Sequence, residues 1–157
     1  MKQKISLAVL VLLAVIIGTA VREKMPQAEA VYNRPFEYET SAPRFGTLGT
    51  VEARLSDSVD GYHTTETFVA VTFEFTRSEY EAAPMVGMID GKKRKVRSLQ
   101  IPRCSSSQTG VPGTCTVEFE VAKDAVAGSQ LRFAPGWTEA GAPVIVRPLE
   151  ITGGSNG

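Results

Sequence analysis

Phe68-Val69-Ala70-Val71-Thr72-Phe73-Glu74-Phe75 alternates without a break, with Val69, Val71, Phe73 and Phe75 on one face and Phe68, Ala70, Thr72 and Glu74 on the other. Side chains of an extended chain point to opposite faces in turn, so this period of two predicts a strand with one face turned to a core. The stretch 115–121 repeats the pattern, setting Cys115, Val117, Phe119 and Val121 against Thr116, Glu118 and Glu120. Weaker strand signals occupy 36–40, 50–55 (Val51, Ala53 and Leu55 inward), 85–89, 96–101, 131–133 and 144–151. Pro148 lacks an N–H for the ladder and marks an edge or a bulge in the last of these. No stretch beyond residue 34 sustains apolar positions at i, i+3, i+4 and i+7, although 77–83 would make a turn or two of helix before Pro84 stops it. Seven or eight short strands separated by turn residues predict an all-β domain, an antiparallel sandwich in preference to a small barrel.

Two cysteines, Cys104 and Cys115, bracket a run of small polar and turn-forming residues at 105–114 that has little means of ordering itself. A disulfide between them would pin that loop and contribute on the order of 2.5 to 3 kcal/mol by restricting the unfolded chain. The alternative is a pair of free thiols. Two thiols without a nearby histidine or further cysteine do not complete a tetrahedral zinc shell, so no metal and no cofactor are expected.

The chain has 157 residues, 43% of them hydrophobic, enough for one core. Lys plus Arg and Asp plus Glu number 17 each. That balance gives no global field to attract nucleic acid, and any electrostatic role must be local. The apolar residues are concentrated at the start, where an uncharged run at 5–21 follows Lys2 and Lys4 and ends at Arg22, Glu23 and Lys24. As a helix this run spans roughly 25 Å, slightly short of the hydrocarbon core, a gap that snorkelling by Lys4 and Arg22 would close. It is expected to be a retained signal-anchor with residues 1–4 in the cytoplasm, a cleaved signal peptide being the alternative. Either way the remainder is exported. Residues 22–34 read as a tether, 35–152 as the extracytoplasmic domain and 153–157 as a disordered tail.

The succession of 68–75, Ile89-Asp90-Gly91-Lys92, Thr116-Val117-Glu118-Phe119-Glu120-Val121 and Asp124-Ala125-Val126-Ala127-Gly128-Ser129-Gln130-Leu131 resembles the immunoglobulin-like extracellular domains of unknown function on Gram-positive, actinobacterial-type envelope proteins. The likeness covers 45–151 by pattern, without a specific motif, and departs from the usual members in having no lipoprotein cysteine. It implies an immunoglobulin-like sandwich in the cell envelope and an accessory or interaction role, with no catalytic residues to transfer.

Chemistry-bearing residues are sparse. His63 is the only histidine; it is expected in a loop, Asp60-Gly61-Tyr62-His63-Thr64-Thr65, with no nucleophile elbow. Glu118 and Glu120 share a strand face, which is more simply the wet side of a half-exposed sheet than an acid–base pair. The local charge feature is Lys92-Lys93-Arg94-Lys95 after Asp90-Gly91, a dipeptide that favours a tight hairpin. Cations at a hairpin tip would contact an anionic partner or surface, or else guard an edge against aggregation. Trp137 is a second candidate contact. These features predict a single-pass, membrane-anchored interaction module without enzymatic activity, an accessory subunit whose partners are other membrane or envelope proteins. A binder of a small ligand or wall polymer is the alternative.

Overall fold

The computed structural model describes residues 35–79, 83–135 and 142–153. The predicted anchor at 5–21, the tether at 22–34, Trp137 and residues 154–157 lie outside these. Pro35–Gly157 forms one unit. Among the described residues no helix is long and apolar enough to cross a membrane, and the helical structure is confined to one 3-10 turn, Lys123–Ala125.

The alternating stretch at 68–75 lies inside a longer hairpin. Strands β1 (Phe36–Tyr38) and β2 (Ser41–Ala42) lead into β3 (Gly46–Val59) and β4 (Tyr62–Arg77). Between β3 and β4, Asp60 and Gly61 both take positive φ, 49° and 83°. This is the two-residue turn whose twist matches that of paired strands. It places Val59 opposite Tyr62 and Ser58 opposite His63; an irregularity between Ser58 and Ser56 then shifts the register and sets Leu55 opposite Val69. His63 therefore sits in a strand near the hairpin end, opposite Ser58, and not in a loop.

The chain continues through β5 (Met85–Ile89), β6 (Lys95–Arg97), β7 (Arg103–Cys104), β8 (Pro112–Val121), β9 (Gln130–Ala134), β10 (Pro143–Pro148) and β11 (Ile151–Gly153). Two sheets result. One has the order β1-β10-β9-β5-β6; the other has the order β11-β3-β4-β8-β7, with β2 also pairing β3. The pairs are antiparallel except β1 with β10 and β11 with β3. Gly153, expected in the tail, pairs with Arg54 through β11. The strand expected over 96–101 stops at Arg97, because the chain then crosses between sheets and Leu99 N–H donates to the Glu118 carbonyl at 2.8 Å. Pro148 ends an interior strand, but β1 reaches only to Ile145 on that side, so the missing N–H leaves no gap in the β1–β10 ladder.

The inward faces of the two sheets meet as the strand periodicity predicts. Val69, Val71, Phe73 and Phe75 of β4 and Val117, Phe119 and Val121 of β8 join Val86, Met88, Leu131, Phe133 and Ile145 of the other sheet in one buried cluster. Phe73 and Phe133 meet across the layers edge-on at 4.9 Å between ring centroids, a favoured aromatic geometry. This is a sandwich-like all-β fold with its core between the layers.

Cys104 and Cys115 are bonded to each other. They face one another across β7 and β8 with their Cα atoms 4.0 Å apart. The bridge closes the 105–114 loop, which Arg77 also holds: its guanidinium Nη1 donates to the Ser107 carbonyl at 2.9 Å, and its carbonyl accepts from Gly110 N–H at 2.9 Å.

Candidate functional site

The cation run occupies the β5–β6 turn, which is built around one buried carboxylate. Asp90 Oδ1 accepts from the backbone N–H groups of Lys92 (2.9 Å) and Arg94 (2.8 Å), and Oδ2 accepts from Arg94 Nε at 2.7 Å. Burial opposes ionisation of this group, but the Arg94 backbone bond, the Arg94 guanidinium and the Lys92 N–H outweigh it and hold the carboxyl below the usual aspartate range. Gly91 N–H donates to the Ala125 carbonyl at 2.7 Å. A Cβ at Gly91 would stand 2.0 Å from the Ala127 carbonyl oxygen, so the turn is pressed against the chain following β8. Lys93 takes the left-handed position, φ 65°.

This geometry divides the four cations. Lys92 pairs with Asp124, whose carboxyl that ammonium lowers, and Arg94 pairs with Asp90. Lys93 and Lys95 are exposed and have no ion pair among the described residues, as is also true of Arg97. Lys95 and Arg97 lie on β6, an edge strand. Cations there obstruct edge-to-edge pairing, whatever else they do.

Beyond β6 the chain runs along the edge of β8, where Leu99 N–H meets the Glu118 carbonyl, and a second feature appears on the outer face beside it. Phe68 is only 5% exposed yet is absent from the buried cluster between the sheets. It lies across from Glu120 in the β4–β8 register. It helps to line a groove of about 480 Å³ with Tyr62, His63, Leu99, Glu118 and Glu120. Tyr62 is 76% exposed, Leu99 50% and the neighbouring Ile101 81%. Glu118 Oε2 accepts from Gln100 Nε2 at 2.7 Å, Gln100 Oε1 accepts from Arg103 Nη2, and Glu120 Oε1 accepts from Thr64 Oγ1. Each carboxylate is thus oriented by an uncharged donor. Neither forms an ion pair among the described residues.

No protein-family model matches the chain, and no curated protein or solved structure matches it.

The structure therefore brings His63, Glu118 and Glu120 to one groove, and sets the cation run on the neighbouring edge. Among the described residues no group of three or more His, Cys, Asp or Glu side chains is arranged to hold a metal ion. The sequence reading missed the groove. It is lined by a phenylalanine on the nominally wet face of β4 and by Leu99 and Gln100 of the crossover. The available signal was Phe68 itself, a large apolar residue in phase with Ala70, Thr72 and Glu74.

Proposed function

We propose that the chain is a membrane-tethered contact module working outside the cytoplasm, an accessory subunit of a membrane or envelope assembly, built on an immunoglobulin-like sandwich. Taking β3, β4, β5, β7, β8, β9 and β10 as strands A to G gives sheets A-B-E-D and C-F-G, with β6 beside C. That pairing supports the immunoglobulin-like reading. The disulfide differs from the inter-sheet bridge of antibody domains, since it joins neighbouring strands of one sheet. The bridge favours an oxidising compartment, in keeping with the uncharged run at 5–21.

The observation that carries the contact reading is the surface formed by β6 and the crossover after it, where Lys93, Lys95 and Arg97 lead directly to exposed Leu99 and Ile101. Apolar side chains beside unpaired charge suit a partner interface. The groove beside them has a volume in the range of small-molecule sites, which favours ligand or wall-polymer binding as the second reading.

Copurification from detergent-solubilised membranes tests the proposal. The wild type should bring down a defined membrane or envelope partner. Replacing Lys93, Lys95 and Arg97, the cations without an ion pair among the described residues, by Ser should weaken recovery and flatten its salt dependence, and Trp137→Ala reports on the second candidate contact. A chain that emerges alone at every ionic strength would refute the contact reading.

A further inference from the structure

The charged residues that line the groove are all of one sign. Asp60, Glu118 and Glu120 line it, and none of its lining residues is a lysine or arginine. Its apolar contributors, Tyr62, Phe68 and Leu99, stand among these carboxylates. A ligand that covered Glu118 and Glu120 without supplying hydrogen-bond donors would strip them of water uncompensated. Saccharide hydroxyls supply only uncharged donors, and anionic wall polymers are repelled. A guanidinium or ammonium would replace the lost water with charge-assisted hydrogen bonds and would also stack on the exposed ring of Tyr62. The groove's apolar surface calls for an aliphatic or aromatic neighbour to that cation.

We infer that the groove docks an extended peptide segment of a partner protein in which an arginine or lysine is flanked by apolar side chains. The cation sits between Glu118 and Glu120, and the flanking side chains rest on Phe68, Leu99 and Tyr62. This assignment rests on the contact function proposed above and supplies its recognition chemistry.

The test uses the full-length, disulfide-intact chain in detergent micelles and fluorescein-labelled short peptides alternating Leu with Arg, with Gln or with Glu. Anisotropy should show saturable binding of the Leu/Arg peptide about tenfold tighter than the Leu/Gln peptide, with the Leu/Glu peptide weaker still. Glu118→Gln with Glu120→Gln should abolish the preference for Arg. Leu99→Ser should weaken the Leu/Arg and Leu/Gln peptides alike. Unchanged thermal unfolding of the variants separates recognition from folding. Equal binding of all three peptides, an Arg preference that survives in the double variant, or displacement by a neutral oligosaccharide would overturn the inference. If the wild type copurifies a membrane partner that the double variant recovers equally well, the groove assignment fails and the contact function stands. If no partner is ever recovered, the contact function itself fails.

Discussion

At the residue scale, two Asp-Gly dipeptides in this chain do different work. Gly61 has positive φ and open space around it, so it serves the turn conformation; Gly91 instead lies where a side chain would strike the Ala127 carbonyl. Gly91→Ala should therefore destabilise the domain by about 1–3 kcal/mol through backbone displacement, measured by urea unfolding. Asp90 makes a second prediction. Its folded carboxyl is more acidic than normal, so its contribution to stability is present above the unfolded value and lost as the pH falls through the folded one, below about 4. Wild type should exceed Asp90→Asn in stability at neutral pH, and the difference should shrink on acidification. A pH-independent difference would contradict this account. Sequence alone did not separate the two dipeptides. The pattern Asp-Gly followed by cations marked a turn at 90–91, but the pressure of 125–127 on Gly91 arises only from tertiary contact. The turn at 60–61, read as part of a loop, is by contrast a local feature with nothing packed against Gly61.

The elements legible in the sequence were those long enough to show a period. The cores of β4 and β8 were visible in full, and β5 has the predicted limits. Strands of two residues, β2 and β7, are too short to display alternation, and they are strands only because longer neighbours pair with them. The disulfide was legible because its two cysteines flank a run with nothing to bury. Cys104→Ser with Cys115→Ser should lower stability by about 2.5–3 kcal/mol. Hydrogen exchange should rise first in β7 and the 105–111 loop while the β3–β4 ladder stays protected; uniform loss of protection would contradict that local role. On the β6 edge, Lys95→Thr with Arg97→Thr should raise the rate of aggregation while changing stability by no more than about 0.5 kcal/mol. Light scattering alongside thermal unfolding would detect a variant that is equally stable and equally soluble, which would leave the edge guard without a role.

For the whole molecule, a sandwich-like all-β fold follows from alternation and turn residues, but its site does not. The candidate surface is assembled from the end of β3, the β3–β4 turn, β4, β6, β8 and the chain linking β6 to β7, so its members are spread from Val59 to Glu120. Each looks ordinary in its own segment: a glutamate on a wet face, a leucine after an edge strand, a histidine near a turn. Only the packing of the crossover beside β8 makes them one surface with Phe68. The account's central claim is contact with a partner through this side of the domain. Site-specific photocrosslinking in cells that natively express the full chain tests that claim most directly, with the photoreactive residue placed at Lys93, at Leu99 or, as a control, at exposed Glu37 on β1, at the edge of its sheet opposite β6. The account predicts a discrete higher-mass adduct from Leu99 or Lys93 and none from Glu37. Absence of an adduct at both Leu99 and Lys93, or equal adducts from all three positions, would contradict it.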